Sequence, residues 1–228
     1  MTGERSRRWV ALSHKAKQAI VDKHNDLRRR EGAADMMKMR WSEDLAELGA
    51  RWAQRCRWEH GQPSSVGLDR SIGQNLYLTT SRATNTTSVD AIQSWYDEVK
   101  HYNYYSGSCS RVCGHYTQIV WARSREVGCG YHVCSTIWVR GRPWENAYYL
   151  VCNYSPAGNY VGERPYKKGY GCSACPDDMK FCDNGLCSDT EPQNSAGCLL
   201  PWLPGSTWDK AYLTSLEVIL TVYMSSVM

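Results

Sequence analysis

The stretch "CGHYTQIVWARS", residues 113–124, sets His115, Tyr116, Thr117 and Gln118 directly before the apolar run Ile119, Val120 and Trp121. That composition is odd for a helix or a strand. Four side chains able to hydrogen-bond, next to a run that reads as buried, mark a site. The residues alone leave three roles open for His115: a catalytic histidine, a metal ligand, or a core histidine with satisfied hydrogen bonds.

Working outward, the chain of 228 residues holds one globular domain of ordinary size with some length left over. Ten Trp and fifteen Tyr against one Phe call for a core whose edges carry hydrogen bonds. The net charge of +4 is mild. The clusters Arg5-Ser6-Arg7-Arg8 and Arg28-Arg29-Arg30 read as solvated helix faces, and no zinc-finger or nucleic-acid motif accompanies them, so no nucleic-acid partner is expected.

Cysteine usage sets the compartment. None of the eleven precedes Cys56, and Cys172, Cys175, Cys182, Cys187 and Cys198 crowd one short segment. Zinc ligation is one option for C-x2-C followed by C-x4-C. Their density, with Pro and Gly between them and sequons elsewhere, favours disulfides in a secreted protein. An odd count leaves one thiol over, and Cys198 is its natural place. Asn85-Thr86-Thr87 is a good glycosylation sequon in a polar loop; Asn153-Tyr154-Ser155 is a poorer one within an apolar run. The opening "MTGERSRRWVALSHKAKQ" lacks an apolar stretch and does not read as a signal peptide. No stretch reaches the length of a membrane span. Ser195-Ala196-Gly197, a spacer and the tail "AYLTSLEVILTVYMSSVM" resemble a lipid-anchor signal.

Periodicity predicts three helices: 14–30 with Ile20, His24 and Leu27 on one face, 42–56 capped by Ser42, and 88–102 capped by Ser88. Strands are expected at 75–80, 126–134 and 147–155, the last two antiparallel through Gly141 and Pro143. The class is α+β. A shift to small, Cys-rich composition after Pro165 marks a boundary.

"GHYTQIVWARS" and "YLVCNYSPAGNY" (149–160) together resemble the two signatures of the CAP superfamily, which holds cysteine-rich secretory proteins, antigen 5 and pathogenesis-related proteins. "AIVDKHNDLRR" and "CRWEHG" fit its opening helices, and "GQNLYLTT" is most similar to the peptidase-inhibitor 15/16-type members. The resemblance implies a three-layer α-β-α sandwich over 14–166, after an extension at 1–13, then a Cys-rich hinge at 167–188 and an atypical tail at 189–228. It implies a cleft of two histidines and two acids. His60, Glu98 and His115 match three of these, but Gln74 in Gly73-Gln74-Asn75 stands where the family carries Glu. It also implies the pairs Cys56–Cys134, Cys129–Cys152, Cys109–Cys113, Cys172–Cys182 and Cys175–Cys187. A further venom-member pair has no counterpart, since Ile72 and Ser155 occupy both positions.

Three readings of the cleft remain open: a structural polar network, weak zinc binding through His60 and His115 completed by water, and metal-dependent hydrolysis by His60, Glu98 and His115. No nucleophile turn accompanies these residues, so no residue is read as catalytic and no cofactor as required. The expected function is a secreted, monomeric, non-enzymatic protein binding a protein or an apolar sterol or fatty-acid ligand. Inhibition of trypsin-type peptidases follows from the resemblance alone.

Overall fold

The computed structural model describes residues 12–61, 71–81, 84 and 86–192. Asn85, Cys198, most of the N-terminal extension and the tail from 193 lie outside the described residues.

The hairpin at the centre decides the layering. Strand β5 (Glu126–Val139) pairs antiparallel with β6 (Arg142–Ser155). The outer neighbours are β1 (Arg40–Trp41), parallel to β5, and β2 (Gly73–Thr79), antiparallel to β6. Side chains alternate across a strand, yet residues 147–155 of β6 are all buried. Both faces are therefore covered. Tyr148, Leu150, Cys152 and Tyr154 join one core with Ile20 and Leu27 of helix α1 (His14–Arg29) and Ile92 and Trp95 of α3 (Thr87–Tyr96). Tyr116 and Ile119 of α4 (Gly114–Ile119) enter the same core. Ala147, Tyr149 and Val151 face Trp52 and Ala53 of α2 (Glu43–Ala53) on the other side. This is a three-layer α-β-α sandwich.

Glycines set the spacing of α2 on the sheet. A Cβ at Gly128 would lie 2.3 Å from the Ala46 nitrogen, and one at Gly130 would lie 2.2 Å from the Ala50 nitrogen. Only glycine admits a helix backbone that close.

Several expected boundaries are corrected. Helix α2 begins after Ser42, whose Oγ accepts from the Leu45 N–H, but it ends at Ala53 rather than 56. Cys56 takes a φ of 50°, outside any helix. Helix α3 starts at Thr87, not after Ser88, because Thr84, Thr86 and Thr87 hydrogen-bond among themselves one turn earlier. Ser88 lies inside α3, its hydroxyl 3.1 Å from that of Tyr148. The helix also stops at Tyr96 and tightens into a 3₁₀ turn, Asp97–His101. Strands β5 and β6 run further than expected, joined by Arg140 and Gly141 alone, with Pro143 inside β6 opposite Trp138. The 113–124 stretch opens as a short helix.

Arg28 is the largest correction. It does not line a solvated face: its exposure is 0%. Its guanidinium donates to the carbonyls of Met37, Ile119, Trp121, Ala122 and Ser124 at 2.6–3.0 Å. Five N–H groups in a planar fork suit such a carbonyl cage. Burial brings its pKa down to about 9, and Asp35 opposes the fall.

Two further ladders complete the strands among the described residues. Strand β3 (Tyr102–Asn103) pairs with β4 (Ser108–Cys109), and β7 (Phe181–Asp183) with β8 (Leu186–Ser188). The Cys-rich segment does not stand apart. Cys187 exchanges backbone hydrogen bonds with Met36 and Lys38, and Met37 packs on Met179 and Cys187. Lys38–Asp183 and Arg125–Asp178 ion pairs border that contact.

Candidate functional site

The cleft residues are set by local turns. Past α2 the chain bends at Cys56, which is bonded to Cys134, and the Trp52 indole N–H donates to the Glu59 carbonyl at 2.9 Å. His60 follows, exposed. Its Nδ1 lies 3.2 Å from Gln74 Oε1, which also accepts from the Gly61 N–H at 3.1 Å. The Gln74 amide nitrogen donates to the Gly61 carbonyl at 2.8 Å and to Asn153 Oδ1 at 3.1 Å. Gln74 therefore uses both ends of its amide, which a carboxylate has no N–H to imitate. A Cβ at Gly73 beside it would lie 2.0 Å from Gln118 Oε1 and would displace that side-chain amide.

The second pair forms around the start of α4. His115 Nδ1 lies 2.7 Å from Glu98 Oε1. The other oxygen of Glu98 accepts from the His115 and Tyr116 backbone N–H groups at 3.1 and 3.3 Å. Glu98 thus does two structural jobs: it satisfies orphan amides at a helix start and holds the His115 proton on Nδ1. The Trp95 ring stacks on the imidazole at 11°, with its own N–H donating to the Leu76 carbonyl. The 3₁₀ turn after α3 is what swings Glu98 toward α4.

So the structure pairs His60 with Gln74 and Glu98 with His115. Asn75 links the two pairs, donating to the His115 carbonyl at 3.1 Å and toward the Tyr154 hydroxyl at 3.4 Å. The donor set does not complete a protein zinc site. Among the described residues, the one group of three His, Cys, Asp or Glu ligand atoms within 4.8 Å of one another is Cys172, Cys175 and Cys187. Those sulfurs are spent in the bonds Cys172–Cys182 and Cys175–Cys187. Cys109–Cys113 and Cys129–Cys152 are bonded as well. Asn153, the poorer sequon, is fully buried and donates to the Leu45 carbonyl.

Sequence reasoning missed the groups behind the cleft. His24 is buried, with Nδ1 2.8 Å from the Ile20 carbonyl and Nε2 3.0 Å from the Tyr154 hydroxyl. Burial, aided by Arg28, lowers its pKa to about 4. Glu31 accepts from the hydroxyls of Tyr96, Tyr116 and Tyr166 at 2.6–2.9 Å. Burial first, and then this carboxylate, raises the pKa of Tyr96 and of Tyr116. The signal available for these groups was a histidine within the apolar stripe of α1 and the excess of Tyr over Phe.

The two signature stretches grip each other. The Thr117 hydroxyl donates to Asn159 Oδ1 at 2.7 Å, and Gln118 Oε1 accepts from the Gly158 N–H at 3.0 Å. The Ser124 hydroxyl donates to the Pro156 carbonyl at 2.7 Å, and the Trp121 ring lies 6.0 Å from that of Tyr160. Thr117 and Gln118 of α4 and Ser124 after it thus hold the loop that follows β6.

Comparisons with known proteins agree with this architecture. The sequence model of the cysteine-rich secretory protein family, CAP, matches residues 21–154. Human cysteine-rich secretory protein LCCL domain-containing 2 is 43% identical over 190 residues, 78% of this chain but 37% of that protein's length. Human peptidase inhibitor 15 is 41% identical over 196 residues, 80% of this chain and 74% of the relative. Among solved structures, that of NaASP2 with Zn2+ superposes with a TM-score of 0.62 at 27% identity, covering 78% of this chain and 97% of that one. The paired signatures, the layered fold and these matches make the chain a member of the cysteine-rich secretory protein (CAP) family.

Proposed function

We propose that the protein works outside the cell as a non-enzymatic binding protein that inhibits trypsin-type serine peptidases. One observation supports the non-enzymatic part. Gln74 is consumed by Gly61, Asn153 and His60, and Glu98 by His115 and the start of α4, so neither of these two cleft positions offers His60 a carboxylate. Hydrolysis needs a base matched to a nucleophile or an activated water; the described cleft supplies one oriented imidazole. His60 and His115 would give a zinc ion at most two imidazole ligands, short of the three or four of a usual protein zinc site. Five disulfides fit an oxidising compartment. Peptidase inhibition is taken from the name of the human relative at 41% identity, and the trypsin-type class from the family resemblance alone.

The test titrates trypsin of known active-site concentration with the full chain, beside an assay of peptide and ester turnover with and without chelator. Saturable loss of trypsin activity, with no turnover by the protein itself, is expected. Undiminished trypsin activity sinks the inhibitor part. Chelator-sensitive turnover lost in both His60→Ala and His115→Ala would replace the proposal with a metal-dependent hydrolase.

A further inference from the structure

The far end of the β5–β6 hairpin carries chemistry that the cleft does not use. Ladder pairs Ile137↔Trp144, Trp138↔Pro143 and Val139↔Arg142 lead to a two-residue turn, with φ of 49° at Arg140 and 76° at Gly141. Two positive φ values match the tight hairpin turn favoured by strand twist. Strand β2 stops pairing at Tyr148, so the hairpin extends past it.

This tip exposes what proteins usually cover. Trp138 is 63% exposed, and Trp144 and Trp58 about a third. Cross-strand partners share a face and adjacent residues oppose, so Trp144 and Trp138 lie on opposite faces of the hairpin. Trp144, Val139, Arg142, Arg140 and Trp58 line a groove of about 600 Å³. Two carboxylates close in sequence to the lining residues have other partners: Glu145 accepts from the Thr136 hydroxyl, and Glu59 lies 3.8 Å from Arg57. Arg140 and Arg142 make no ion pair among the described residues.

Indole rings flanking unpaired guanidinium groups fit one environment in particular. Tryptophan settles at the headgroup level of a bilayer, and arginine is drawn to anionic lipid while its stem lies along apolar surface. Trp138 and Trp144 stand two and three residues from the turn. At about 3.3 Å per residue, both rings and both cations fall within about 10 Å of the tip. That matches the 5–10 Å to which interfacial segments sink. A small molecule in the groove would leave Trp138 in water; a bilayer takes rings from both faces.

We propose that residues 138–144 dock this protein onto anionic lipid bilayers, with Trp138 and Trp144 in the headgroup layer and Arg140 and Arg142 against lipid phosphates. The docking is peripheral and independent of any peptidase partner.

Sedimentation of the full chain with vesicles of phosphatidylcholine, alone or mixed with phosphatidylserine, tests it. Binding to the mixed vesicles, weaker in salt and weaker still without phosphatidylserine, is expected. The double variant Arg140→Asn, Arg142→Glu should lower partitioning at least about tenfold. Trp138→Ser, at an exposed site that leaves folding intact, should lower it as well, and Arg140→Lys with Arg142→Lys should retain it. Equal binding to neutral vesicles overturns the proposal, as does no binding, or binding that survives the arginine variant. Loss with the arginine variant but not with Trp138→Ser would show simple adsorption of a cationic surface and also overturn it. Retention on heparin without vesicle binding would assign the arginines to a sulfated glycan instead.

Discussion

His24 shows how a single buried side chain ties stability to pH. Its folded pKa of about 4 lies below the unfolded value of about 6.5. The unfolded chain therefore takes up a proton first as pH falls. The contribution from this group is complete above pH 6.5, shrinks on the way down, and reaches a loss of about 3 kcal/mol near pH 4. Urea unfolding at a series of pH values should show that slope, and His24→Phe should flatten it whatever it does to stability at pH 7. Gln74 makes an opposite prediction. In Gln74→Glu a carboxylate oxygen would face the Gly61 carbonyl and Asn153 Oδ1, where the amide now donates to both. A cost of about 1–3 kcal/mol at pH 7 is expected. It should shrink as pH falls, because burial against acceptors raises the pKa of the new acid and protonation restores a donor. A variant as stable as the parent at pH 7 would show that Asn153 can turn to donate instead. The identity of residue 74 was legible in the sequence. Its partners were not, because they come from a turn after α2 and from a strand 79 residues away.

At the scale of elements, the contact of α2 with the sheet rests on absent side chains. Gly130→Ala would push a methyl carbon to within 2.6 Å of the Ala50 Cβ and closer still to its backbone. Helix backbone cannot yield as a side-chain end can. Overpacking of this kind costs about 1–3 kcal/mol or more, and thermal unfolding of Gly130→Ala against the parent measures it. Gly141→Ala is the useful contrast, since a Cβ there meets nothing within 4 Å and only its φ of 76° opposes the change. The existence of each helix was readable from apolar spacing, and the central strands from their apolar runs. The ends were less readable. Helix α3 stops early because Glu98 must turn to reach the amides of His115 and Tyr116, a demand set by another element. Ser88 has good capping chemistry, yet it faces a tyrosine on the sheet. Local propensity has no access to either partner.

Across the whole molecule, the signatures identified the family because they are long, and in the fold the two stretches meet, through Thr117, Gln118 and Ser124 on one side and Pro156, Gly158 and Asn159 on the other. The chemistry of the cleft is carried by fewer residues on separate segments, so resemblance fixed the fold more tightly than the function. Arg28 escaped for a related reason. In sequence it is one of three consecutive arginines, and only the return of residues 119–124 beneath α1 makes it interior. The carbonyls of 119, 121, 122 and 124 all end on that one guanidinium. The amides of Val120, Trp121, Ala122, Ser124 and Arg125 are satisfied too, by Tyr116, Gln118, Pro165, Trp121 and Ser155. A stretch that is mostly outside regular structure is thereby saturated from both sides. Local opening would have to strip a buried cation of its partners, so this segment can open only when the fold does. In deuterated water its amide protons should outlast those of the exposed β3–β4 turn and leave on the timescale of the central hairpin. Exchange as fast as an ordinary surface loop would mean that the cage breathes on its own.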